Sequence, residues 1–310
     1  MKTIRTPDDR FDDLPGFPYA PNYAEVSADG TDGATLRVHY LDEGPADADP
    51  IVLMHGEPTW SYLYRHMIGP LVDAGHRVIA PDMVGFGRSD KPTEQGDHSY
   101  ARHVEWMTGL VFDHLDLRHI TLFCQDWGGL IGLRLVAAEP DRFDRVVVGN
   151  TGLPTGHGAP SEAFLAWQSF SQSADDFPVG AIIGAGCTTE LSADVVAAYD
   201  APFPDDAFKA GPRAMPALVP TSTADPASAA NIAAWEVLGS FERPLLTAFS
   251  DGDPITAGGA APFESKVPGA QGQQHSVIKG GGHFLQEDRG PQLASVIDRF
   301  IADNPVDTPQ

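Results

Sequence analysis

The sequence predicts an α/β fold: a mostly parallel, eight-stranded sheet with helices on both faces and an inserted helical cap. Three observations predict it. Short apolar runs alternate with stretches of helical periodicity, the pattern of βαβ units. The third, fifth and seventh of these runs are apolar enough to lie in a sheet covered on both faces. The alternation then breaks after about Thr151 and does not return until about Phe241. The interval is rich in Ala, Pro, Ser and Asp, with short helical patches and no convincing strand.

In chain order, strands are expected at Tyr23–Ser27, Leu36–Leu41, Ile51–Met54, Arg77–Pro81, Ile120–Cys124, Arg145–Gly149, Leu245–Phe249 and Ser276–Ile278. Helical patterns lie near Trp60–Asp73, Tyr100–Leu115, Gly128–Ala138 and Pro291–Ala302. In the last, Leu293, Val296, Ile297, Phe300 and Ile301 recur on one face, the stripe of a helix packed on a core. The main domain is therefore expected over 1–151 and 242–310, with a cap over 152–241. No internal repeat interrupts this plan.

Bulk properties narrow the function. At 310 residues, with 42% hydrophobic residues and a mean hydropathy of −0.18, the chain resembles an ordinary globular protein. No stretch approaches the roughly 20 apolar residues that span a bilayer. The first residues, MKTIRTPDDRFDDLPGF, are acidic and lack the apolar core of an export signal, so a cytoplasmic location is expected. The two cysteines, Cys124 and Cys187, make no disulfide framework, in keeping with a reducing compartment.

The formal net charge is −23, from 31 Asp and 12 Glu against 15 Arg and 5 Lys. Nucleic acid and anionic membranes are excluded as partners, because both require basic surface. An acidic surface poor in Lys suits concentrated salt, where screening removes self-repulsion. Plain solubility in a GC-biased genome accounts for it equally well.

The chemistry concentrates in four segments. In Ile120-Thr121-Leu122-Phe123-Cys124-Gln125-Asp126-Trp127-Gly128-Gly129, a strand enters a helix with small residues two before and two after Asp126. That is the spacing of a nucleophile elbow, the sharp turn of α/β-hydrolases that lifts its central side chain above the sheet. The competing reading of Asp126 is a plain helix N-cap. His55-Gly56-Glu57-Pro58-Thr59-Trp60 follows the third strand like an oxyanion loop, whose donors would be the backbone N–H groups of Glu57 and Trp127. Gly280-Gly281-Gly282-His283 follows the last strand, and the glycines free the His283 imidazole to reach the elbow. Ser250-Asp251-Gly252-Asp253-Pro254 ends the seventh strand, where an acid would orient that histidine. Asp253 fits best, and Asp251 competes.

Two further features read as inert. Asp82-Met83-Val84-Gly85-Phe86-Gly87-Arg88-Ser89-Asp90 lacks the Lys-Ser/Thr of a phosphate-binding loop. The 11 histidines show no metal-ligand spacing.

With Gln125-Asp126-Trp127-Gly128-Gly129 and His55-Gly56-Glu57-Pro58-Thr59-Trp60 in place, the chain from Asp8 to Phe300 resembles the haloalkane dehalogenases. It matches the subfamily with its catalytic acid after the seventh strand. The resemblance implies an α/β-hydrolase in which Asp126 displaces halide from saturated carbon, leaving an alkyl ester. His283, oriented by Asp253, would activate the water that hydrolyses it. It implies halide binding by the indoles of Trp127 and Trp167, with Trp235 structural. No cofactor or metal is expected. The partners are a small halogenated alkane, water and the released halide, and the protein is expected to be a monomer or small homo-oligomer.

Epoxide hydrolases share the aspartate elbow, but protonate their leaving alkoxide with two cap tyrosines. Residues 152–241 contain only Tyr199. Fluoroacetate dehalogenases typically carry Arg after the nucleophile, where this chain has Trp127. A non-catalytic binding protein on the same fold is the remaining alternative.

Overall fold

The computed structural model describes residues 1–29 and 33–306. Eight strands build the main sheet: β1 Asn22–Ser27, β2 Thr35–Glu43, β3 Pro50–Met54, β4 Arg77–Pro81, β5 Ile120–Gln125, β6 Phe143–Gly149, β7 Leu245–Ser250 and β8 Ser276–Ile278. Their spatial order is β8-β7-β6-β5-β3-β4-β2-β1. β2 runs antiparallel to both β1 and β4, and all other neighbours are parallel. All eight expected strands are present, most of them a residue or two longer than the apolar pattern indicates. Backbone pairing extends past the residues that must be buried. An additional two-residue pairing, Thr3–Ile4 with Lys91–Pro92, is too short to leave a periodic signal.

Ten helices accompany the strands among the described residues: α1 Arg65–Asp73, α2 Tyr100–Thr108, α3 Trp127–Ala138, α4 Glu162–Ser173, α5 Val179–Gly186, α6 Ala193–Asp200, α7 Ala210–Leu218, α8 Ser228–Leu238, α9 Ala260–Lys266 and α10 Leu285–Asp303. β3 and β5 are buried at every position, because helices cover both faces of the sheet at its centre. α4 to α8 all fall between β6 and β7, with no strand among them.

Three helix boundaries depart from the periodicity. The expected start at Trp60 is a 3₁₀ turn over Ser61–Tyr64, after which α1 begins. The expected helix to Leu115 stops at Thr108 and widens into a π-helical turn over Gly109–His114. α10 starts at Leu285, six residues before Pro291, and breaks helical geometry at Arg289 (φ −140°, ψ 30°). Proline is tolerated in the first turn of the segment after that break.

The loop after β4 is a buried polar hub. The Asp82 carboxylate meets His39 Nδ1 at 2.7 Å and accepts from the backbone N–H groups of Ser61 and Arg88 at 2.7 and 2.8 Å. It anchors the glycine-rich stretch through the Arg88 N–H. No helix among the described residues is long and apolar enough to cross a membrane.

Candidate active site

β5 delivers Asp126 to the top of the sheet in a conformation few side chains adopt, with φ 52° and ψ −125°. Such geometry costs about 1–3 kcal/mol and persists only where surrounding packing enforces it. The flanking glycines show the crowding. A Cβ on Gly128 would stand 2.0 Å from the Met54 carbonyl oxygen, and one on Gly56 would stand 2.4 Å from the Asp126 side chain. The Asp126 amide N–H donates to the Asn150 carbonyl at 3.0 Å, and its own carbonyl accepts from Gly129 and Leu130 as α3 begins. Its side chain makes no cap bond to α3, so the carboxylate is free for other partners.

One such partner is the Glu57 backbone N–H, which donates to Asp126 Oδ1 at 2.7 Å. The Trp127 backbone N–H belongs to the opening turn of α3, where amides lack intrahelical acceptors. The other carboxylate oxygen, Oδ2, lies 3.6 Å from His283 Nε2. His283 Nδ1 meets Asp253 Oδ2 at 3.0 Å. Asp253 is fixed in turn by the Thr256 hydroxyl and by the Ile255 N–H at 2.9 Å. The structure thus brings Asp126, His283 and Asp253 together. Asp251 is directed elsewhere, accepting from the Gly280 N–H at 2.7 Å.

Electrostatics follow from this clustering. Burial disfavours a charged imidazole, but Asp126 and Asp253 outweigh it and hold His283 up at about 10. Burial also works against the Asp253 carboxylate, yet the His283 imidazole and the Thr256 hydroxyl keep it below the usual carboxylate range.

The site opens onto a cavity of about 880 Å³, lined by Asp126, Trp127, Phe164, Trp167, Trp235 and His283 among others. Trp127 packs edge-on against Tyr100 at 5.0 Å, and among the described residues no acceptor takes its indole N–H. Trp167 reaches in from α4, stacked on Phe170 at 5.8 Å. Trp235 also lines the cavity, but its indole N–H donates to the Leu153 carbonyl at 2.8 Å and its ring stacks on Phe263. Tyr199 lies outside the cavity lining, buried, with its hydroxyl donating to Glu287 Oε2 at 2.5 Å.

Supporting residues emerge that the motifs did not indicate. The Asn150 side-chain amide donates to the carbonyls of Gly282 and His283 at 2.9 and 3.0 Å and accepts from the Ser250 N–H. The Gln125 amide lies 3.2 Å from His283 Nε2. A further set joins the histidine loop to the segment after α5. The His283 N–H donates to the Gly186 carbonyl at 2.8 Å, and the Thr188 hydroxyl donates to the Gly280 carbonyl at 2.6 Å. The Asp288 carboxylate accepts from the Gly282 and Thr189 N–H groups, both at 2.7 Å. The sequence signal for these is slight: an acid close behind the histidine and an amide at the end of β6.

A strained acidic elbow, a histidine backed by a second acid and a roofed apolar cavity define an α/β-hydrolase. The alpha/beta hydrolase fold family model matches residues 49–290. A haloalkane dehalogenase from Psychrobacter cryohalolentis is 56% identical over 98% of this chain and 100% of its own. One from Mycolicibacterium paratuberculosis is 53% identical over 96% and 97%. The haloalkane dehalogenase of Paraglaciecola agarilytica, solved as a tetramer, superposes with a TM-score of 0.87 at 37% identity, covering 96% of this chain and 97% of that one. This chain belongs to the haloalkane dehalogenase family.

Proposed function

We propose that the protein hydrolyses haloalkanes to alcohol, halide and a proton through an ester on Asp126. The observation that carries this is Asp126 itself, a carboxylate held at a strained turn on the floor of an apolar cavity, with His283 Nε2 3.6 Å from its free oxygen. Asp126 Oδ2 attacks the halogen-bearing carbon, the carbon–halogen bond breaks, and the halide leaves toward the indole N–H groups of Trp127 and Trp167. A halide needs no proton, so donors and an apolar wall suffice. Water then attacks the ester carbonyl while His283 takes its proton, and Asp253 stabilises the imidazolium. Oδ1, already hydrogen-bonded to the Glu57 N–H, receives the developing negative charge. Collapse of that intermediate expels the alcohol and restores the carboxylate.

Residues 152–241 act as the cap that roofs this chemistry. Tyr199 is their single tyrosine, and its engagement with Glu287 leaves an epoxide-opening reading without its acid. In solution the chain is a monomer or a small homo-oligomer, which light scattering decides.

The test is halide release across a panel of chlorinated and brominated alkanes, together with intact mass of His283→Gln after incubation with 1,2-dibromoethane. An alkyl adduct on Asp126 is expected. An unmodified mass with continued catalytic halide release overturns the proposed roles.

A further inference from the structure

Glu57 places a second carboxyl group beside the nucleophile. Its side chain lines the cavity with Asp126, Trp127 and Trp167, yet the residue is only 3% exposed. Its Oε1 is buried without a hydrogen-bond partner. A buried carboxylate oxygen lacking any donor is costly, whereas a carboxylic acid O–H in the same place lacks only an acceptor.

The surroundings supply little to balance a negative charge there. Asp126 faces Glu57 from the elbow, with its Oδ1 on the Glu57 N–H at 2.7 Å. His283 faces it from the loop after β8, but that imidazole already serves Asp126 and Asp253. His55, the neighbour at the end of β3, is itself biased toward the neutral form by burial. Trp167 approaches from α4 with an indole and no charge. Lys266, the cavity's lysine, sits over the Trp235 ring at 5.2 Å. Burial and then the Asp126 charge push the Glu57 carboxyl well above its usual range, and His283 and the Trp167 N–H oppose this only in part. Two carboxyl groups sharing one dry site ionise one at a time.

We propose that Glu57 works as an uncharged carboxylic acid whose O–H donates into the halide pocket beside the two indole N–H groups, so that halide binds only while Glu57 keeps its proton. The proposal rests on the dehalogenase reading above and adds a donor to it. An ionised Glu57 would set a second negative charge against the incoming anion and remove that donor together.

The experiment is a bromide titration followed by tryptophan fluorescence, for the parent and Glu57→Gln, between about pH 6 and pH 9, below the His283 range. Parent affinity should fall about tenfold per pH unit once Glu57 ionises. Glu57→Gln, a permanently neutral donor, should bind bromide with no such slope. A Gln variant that keeps the parental slope overturns the proposal. Difference infrared spectra of the parent give a reading independent of how well the variant folds. Bromide should perturb a protonated-carboxyl C=O band, and absence of any such band at the acidic end overturns the proposal too. A parent that binds bromide but releases no halide from brominated alkanes sinks the dehalogenase reading instead, so the two failures are distinct.

Discussion

His283 Nε2 stands 3.6 Å from Asp126 Oδ2, while its Nδ1 lies 3.0 Å from Asp253 Oδ2. The imidazole is hydrogen-bonded on one side and stands off the nucleophile on the other, beyond ordinary hydrogen-bond length. That asymmetry suits a base that acts on water and not on the nucleophile. It also makes His283 sensitive to the charge on Asp126. The proposed ester would cancel that charge, so the imidazole should lose its proton more readily once an alkyl group is attached.

Asp126→Asn imitates the neutral ester and tests this directly. With one of its two raising carboxylates gone, the His283 pKa should drop from about 10 by about 1–3 units. NMR titration of the imidazole checks it. The hydrolytic step should accordingly gain rate with rising pH through that lowered value. A titration unmoved in Asp126→Asn would assign the whole upward shift to Asp253.

Trp167 and Trp235 should behave differently. Trp167→Phe should weaken bromide-induced fluorescence change and slow halide formation by about 10²–10³-fold, the effect of one lost donor at a developing charge. Trp235→Phe breaks the bond to Leu153 and trims the ring stacked on Phe263, and should cost stability of at least about 1 kcal/mol with bromide affinity retained. Parallel titrations of both variants decide the matter. Loss of bromide binding in Trp235→Phe alone would exchange their roles.

Tyr199, Arg65 and Glu287 form a buried knot, with Arg65 Nη1 donating to Glu287 Oε2 at 2.6 Å. Arg65→Met strands the Glu287 charge and should destabilise by about 3–5 kcal/mol. Tyr199→Phe removes the hydroxyl's bonds to Glu287 and to Arg65 and should cost about 1.5–3 kcal/mol. Turnover of brominated alkanes by Tyr199→Phe should stay within a few-fold of the parent. Urea unfolding and halide assays measure the two quantities separately. A collapse of turnover in a folded Tyr199→Phe would return that hydroxyl to the chemistry.

The 43 carboxylates against 20 cationic side chains repel one another most at low ionic strength. The Debye length falls from about 30 Å at 0.01 M to about 3 Å at 1 M. Melting temperature should therefore climb as NaCl rises from near zero to molar levels. Turnover should rise less or decline at the top if chloride competes for the halide pocket proposed above. A flat melting curve would mean that the acidic surface is well dispersed and says nothing about a saline habitat.

Legibility in the sequence followed the physics of each element. β3 and β5 were readable because burial on both faces leaves an unbroken apolar run. The elbow was readable because a turn that tight excludes side chains at Gly128, which leaves a spacing. Asn150 carries no motif, because its work is done by an amide gripping two carbonyls, which no spacing marks. The Glu57 side chain was invisible for another reason: the motif accounts for its backbone N–H, and only packing reveals that its Oε1 is orphaned. α9 left no trace because seven residues are too few for a periodicity.

The histidine loop and the segment from Gly186 to Thr189 are stitched together by backbone, hydroxyl and carboxylate bonds. The histidine loop and the end of α5 are therefore tied into one piece. Lifting the whole helical layer to admit a substrate would carry His283 away from Asp126 and dismantle the machine each time it loaded. α4 is more exposed: of its twelve residues only Ser171 is fully buried, and Leu165 and Phe170 face solvent, while Gln168 and Gln172 tie it to the carbonyls of Pro216 and Arg213 in α7. His283 is thus held by the end of α5, while Trp167 sits on a helix anchored to α7. The histidine and the indole therefore hang from separate anchorages, so a shift of α4 against α7 would leave His283 in register with Asp126.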